Sequence, residues 1–106
     1  MSADPSFGLT AREIGRIQEV LAGFPSVRRA IVYGSRAKGT HRPGSDIDLT
    51  LDGQLGPDEL NRIETALDDL LLPYPLDLSA LSLIDKPELL EHIRRVGKPI
   101  YQRPAN

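Results

Sequence analysis

Apolar residues recur along this chain at two alternating periods. Ile14, Ile17, Leu21 and Phe24 fall on one face at helical spacing, which predicts a helix that stops near Gly23 and Pro25. Its start is marked by Thr10-Ala11-Arg12-Glu13, a capping box whose hydroxyl and carboxylate satisfy end N–H groups reciprocally. Val27 to Tyr33 reads as a first strand, Ala37-Lys38 as part of a short helix, residues 40–45 as a loop, and Ile47 to Leu51 as a second strand. Gly56-Pro57-Asp58-Glu59 opens the next helix, with proline in the first turn and acids at the positive end of the dipole. Leu60, Ile63, Leu67, Leu70 and Leu71 form its apolar stripe, and Pro73-Tyr74-Pro75 ends it. Leu76 to Leu81 alternates around Asp77 as a third strand. A last helix starts at Asp85-Lys86-Pro87-Glu88, turns Leu89, Leu90, Ile93 and Val96 inward, and is capped by Gly97. Ile100-Tyr101 adds a short extended tail.

The expected fold class is therefore α+β with alternating elements, a small sheet of about three strands with helices packed on one face. The pattern alone does not separate a mixed sheet from a parallel doubly wound one. At 106 residues there is room for one modest core. Residues 1–9 are expected to form a flexible arm, 10–101 the folded domain and 102–106 a tail. No repeat or linker interrupts them.

Composition narrows the chemistry. There is no cysteine, which removes disulfides, thiolate nucleophiles and cysteine-ligated zinc. No segment is apolar enough to span a bilayer and no leader pattern opens the chain, so a cytoplasmic protein without a membrane partner is expected. The net charge of −2 is unevenly spread. Residues 28–45 carry five basic side chains and no acidic ones, whereas residues 52–91 carry ten acidic side chains against Arg62 and Lys86. A local basic loop on an acidic protein suits a compact anion better than an extended nucleic-acid surface.

That basic loop lies within the most informative stretch, Ile31 to Asp48. Gly34 lets the backbone turn tightly against a ligand, and Ser35 offers a hydroxyl beside newly exposed amides. A helical turn starting there would favour an anion, and Arg36 and Lys38 add positive charge. Beyond the loop, Asp46 and Asp48 share one face of the second strand, with Cα atoms about 7 Å apart. Two such carboxylates repel each other unless a cation lies between them, and hard cations accept oxygen ligands while leaving positions for phosphate. Asp77 is a candidate third ligand, because a carboxylate between Leu76 and Leu78 in a central strand is costly unless paired. Asp52 competes with it, since strict alternation places it on the face of Asp46 and Asp48.

Each residue also has a plainer reading. Gly34 suits any strand-ending turn, Ser35 any helix cap, Arg36 and Lys38 a solvated loop, and Asp77 an uncovered sheet face. Tyr33 and Tyr101 read as packing residues. The P-loop is excluded, because Thr40-His41 follows Gly39 where Lys-Ser/Thr is required. A nucleophilic serine is disfavoured by the absence of a G-x-S-x-G elbow.

Gly34-Ser35, ten intervening residues and Asp46-Ile47-Asp48 resemble the G-S-x10-D-x-D motif of the minimal nucleotidyltransferases, the smallest members of the DNA polymerase β-like superfamily. The resemblance runs from about Arg12 to Tyr101. It implies a mixed sheet of polymerase β palm type. It further implies two Mg2+ ions (Mn2+ as a substitute) on Asp46, Asp48 and Asp77, and ATP or another nucleoside triphosphate against Gly34, Ser35, Arg36 and Lys38. The third acid of the superfamily, carried on a following strand, falls here on Asp77.

The chain also resembles the minimal nucleotidyltransferases that act as antitoxins of helical HEPN ribonucleases. That resemblance implies AMP transfer from ATP to a toxin tyrosine. Nothing beyond the palm-like core is left to recognise an acceptor, so a partner or a second copy in an oligomer is expected to supply that site. Two alternatives stand beside this. One is a catalytic subunit that modifies a small molecule or an RNA end, and the other is a non-catalytic nucleotide- or partner-binding module.

Overall fold

The computed structural model describes residues 6–104. The first helix, α1 (Ala11–Ala22), begins on the expected box: Glu13 N–H donates to Thr10 Oγ1 at 3.0 Å, and Thr10 N–H donates to Glu13 Oε1 at 2.9 Å. There follow β1 (Val27–Tyr33), the five-residue α2 (Gly34–Lys38) and β2 (Ile47–Gly53). After these come α3 (Pro57–Asp68), β3 (Leu76–Ala80), a 3-10 turn at Leu81–Leu83, α4 (Pro87–Val96) and β4 (Lys98–Gln102). The sheet is mixed, in the order β3-β2-β1-β4: β1 is antiparallel to β2 and β4, and β2 is parallel to β3.

Among the described residues four strands are present where about three were expected. The Ile100-Tyr101 tail is the centre of β4, which pairs with β1 along an outer edge. Its pattern was weak because it opens with Lys98-Pro99, and proline is tolerated only where a ladder bond can be given up, as at a sheet edge. Helices also occupy both faces, not one. Ile17 and Leu21 of α1 and Ile63 and Leu67 of α3 pack with Val32, Ile47, Leu49 and Leu51 on one side. Because strand side chains alternate, Ile31 and Tyr33 point the other way, and there Ile93 of α4 covers them with Leu89 and Val96.

The described residues of the expected arm and tail pack against the domain. Within the described part of the expected 1–9 arm, Phe7 and Leu9 are buried in the main core. Arg103, placed in the tail, donates through Nε to Val27 O at 3.0 Å and through Nη2 to Phe24 O at 3.0 Å. Residues 1–5 and 105–106 lie outside the described residues. The α3 stripe is also shorter than expected. The helix ends at Asp68, and Leu71 sits in a left-handed turn (φ 57°) with its side chain 87% exposed.

Candidate active site

The sheet register assembles the site. Tyr33 at the end of β1 is the cross-strand partner of Asp48 on β2, and Asp48 is the partner of Asp77 on β3. Directly paired residues put their side chains on the same face of the sheet about 5 Å apart. One row across three strands therefore carries a phenol and two carboxylates. Asp46 lies just before β2, close enough for its charge to act on Asp48.

The glycine-serine turn faces this row. Gly34 follows Tyr33 with φ 73°, a left-handed conformation suited to glycine. A Cβ built on it would collide with Asp48 Oδ2, so the turn and the carboxylate lie flush against each other. Burial raises the Asp48 carboxyl above the usual carboxylate range, and the charges of Asp77 and Asp46 push it further, partly opposed by His92. Burial likewise raises the Tyr33 phenol, an effect reduced by Ser79 and reinforced by Asp48 and Asp77. The Ser79 hydroxyl is buried beside it without a well-formed hydrogen bond.

Asp48 and Asp77 are neighbouring oxygen donors of the kind a hard cation accepts. Among the described residues, no three His, Cys, Asp or Glu side chains converge enough to enclose an ion by themselves. Asp77 reaches the site for a different reason from the one its sequence suggested. β3 is an edge strand and Asp77 is exposed, so the cost of burying it has no part. Register alone brings it beside Asp48. Asp52 does not join them: it lies near the far end of β2 and pairs with Arg29 Nε at 3.1 Å.

Arg36 is not brought to the carboxylates either. It is 1% exposed, and each of its three guanidinium nitrogens donates to a carbonyl: Nη1 to Phe7 O at 2.8 Å, Nε and Nη2 to Ser45 O at 3.1 and 2.8 Å. The guanidinium also stacks over the Tyr74 ring, 4.5 Å from its centre. It anchors the N-terminal segment and the loop before Asp46 to α2. Lys38, at the end of α2, is exposed. His92 of α4, absent from the sequence-derived site, accepts the Gly34 N–H through Nε2 at 3.2 Å. Its only signal in the sequence is its position beside Ile93, three residues after Leu89, on the flank of an apolar stripe.

This arrangement, two register-paired acids opposed by a glycine-serine bend, agrees with a wider match: the model of the polymerase beta, nucleotidyltransferase family fits residues 15–106. The chain belongs to the polymerase β nucleotidyltransferase family. No curated protein matches it. Solved structures share the family fold at low identity. One, described as a toxin-antitoxin with AMP-PNP, has a TM-score of 0.69 at 22% identity and covers 85% of this chain and 73% of its own. The toxin-antitoxin MntA-HepT gives 0.65 at 18% identity, covering 89% and 74%. A tri-AMPylated Shewanella oneidensis HEPN toxin in complex with MNT antitoxin gives 0.64 at 18%, covering 87% and 71%. Among the described residues of this family member, no helix is long and apolar enough to cross a membrane.

Proposed function

We propose that this chain is an antitoxin that transfers AMP from ATP to a tyrosine of a helical HEPN-type toxin. The observation that carries the reading is the alignment of Asp48 with Asp77 across β2 and β3, opposite the Gly34 turn. The solved relatives support the acceptor, since one is described with AMP-PNP and another as an MNT antitoxin with a tri-AMPylated HEPN toxin. In the reaction the tyrosine oxygen bonds to the α-phosphorus of ATP, the bond from that phosphorus to the bridging oxygen breaks, and pyrophosphate departs. Asp46, Asp48 and Asp77 are the residues that would hold two Mg2+ ions, or Mn2+ in their place. When bound, these ions neutralise phosphate charge and lower the pKa of the acceptor hydroxyl. Gly34 and Ser35 form the bend along which the triphosphate lies, and Ser35 contributes its hydroxyl. Lys38 adds positive charge at its outer end, while Arg36 keeps the bend and the Asp46 loop in place from below. Asp77, exposed at the sheet edge, is the carboxylate open to take the acceptor proton.

The test is to incubate the protein with α-labelled ATP, Mg2+ and the protein encoded beside it. The reading predicts label on a tyrosine of that neighbour and none with Asp48→Asn. Label confined to a small molecule or RNA, or no label at all, would contradict it.

A further inference from the structure

We propose that His92 is a positioning residue: its Nε2 holds the Gly34 amide and so fixes the glycine-serine bend against Asp48. The inference deepens the nucleotidyltransferase reading and rests on it. α2 begins at Gly34, and the first N–H groups of a helix have no acceptor inside it. The one at Gly34 is met by a side chain 58 residues away, at 3.2 Å. The histidine ring is also held from a second direction, edge-on to Tyr33 with centroids 6.1 Å apart and planes at 81°. α4 carries His92 into place because Ile93, the next residue, packs into the cluster of Ile31 and Tyr33.

The contact has a specific consequence. Gly34 sits in a left-handed conformation pressed against Asp48 Oδ2, and glycine is the residue with the most backbone freedom to lose on ordering. An amide anchored from outside restrains that freedom before nucleotide arrives. The anchored N–H is not itself offered to phosphate, which leaves the Ser35 group for that purpose. An acceptor Nε2 also requires the ring proton to be on Nδ1, so the geometry specifies one tautomer. Because the bend is needed equally before and during transfer, losing its anchor weakens nucleotide capture and leaves the chemical step unchanged.

Two substitutions separate the hydrogen bond from the ring. His92→Phe keeps an aromatic edge toward Tyr33 and removes the acceptor, whereas His92→Gln keeps an acceptor and removes the ring. The expected result in the labelled-ATP assay is a KM for Mg-ATP about tenfold higher in His92→Phe, with kcat within about twofold of wild type. His92→Gln is expected within about threefold of wild type on both constants. An unchanged KM in His92→Phe, or a loss confined to kcat, would overturn the role. Should His92→Phe melt early, His92→Gln decides alone, and a tenfold KM rise in it counts against the anchor. Long-range 15N correlation spectra of the wild type give a readout independent of activity: Nδ1 protonated supports the contact, Nε2 protonated refutes it. Absence of transfer by the wild type would instead remove the underlying reading, and the inference with it.

Discussion

Asp48 is the residue on which burial and charge act together. Its carboxyl is raised by desolvation and by Asp77 and Asp46, so the folded protein holds that proton to higher pH than the unfolded chain does. Stability contributed by this group is present below its ordinary value of 3.8 and is lost as pH rises through the window between that value and the raised one. Asp48→Asn removes the penalty. It should therefore raise the melting temperature at pH 7 relative to wild type, with the difference vanishing in acid, while transfer falls by at least about 100-fold. A melting temperature lowered at pH 7 would contradict this account of the acidic row. Gly34 has no comparable tolerance, because any Cβ collides with Asp48 Oδ2 and must also adopt φ 73°. Gly34→Ala should abolish nucleotide binding, as read by calorimetry. Leu71 offers a change in the other direction. A bulky residue at φ 57° with 87% exposure carries strain and no burial, so Leu71→Gly should stabilise the protein by about 0.5–1 kcal/mol in urea titration.

At the scale of elements, what could be read from the sequence was what is local. The capping box of α1 and the strand-bend-helix of β1 and α2 each occupy a few neighbouring residues, and each reads correctly. What was lost depends on partners distant in the chain. α4 shows an apolar stripe, but the stripe does not say which face of the sheet it will cover. The pattern around Asp77 points to burial and the family resemblance to a third acid, whereas its place beside Asp48 comes from the parallel register of an edge strand. Arg36 shows the sharpest case. A basic side chain beside a glycine-serine bend reads as a phosphate ligand, yet its partners are the carbonyls of Phe7 and Ser45, which no spacing rule connects to it. Arg36→Ala would leave those buried carbonyls unpaired and should cost about 2–4 kcal/mol of unfolding free energy. Arg36→Lys should recover little of it, since a single ammonium cannot make the same fork. Near-wild-type stability in Arg36→Ala would reject the anchoring role.

At the scale of the whole molecule, the domain is a sheet with one face covered by α1 and α3 and one face divided between α4 and the acidic row. α4 covers Ile31 and Tyr33 and leaves Asp48 beside its His92 flank, so one helix both completes the second core and borders the acidic row. The glycine-serine bend and Asp48 meet here because β1 and β2 are antiparallel neighbours joined through α2 and the loop. The most direct measurement is a crystal grown with Mn2+ and a non-hydrolysable ATP analogue, read by anomalous scattering. The account predicts manganese peaks coordinated by Asp48 and Asp77, with the triphosphate running along Gly34 and Ser35. A nucleotide bound elsewhere, or manganese absent from that pair of carboxylates, would contradict it.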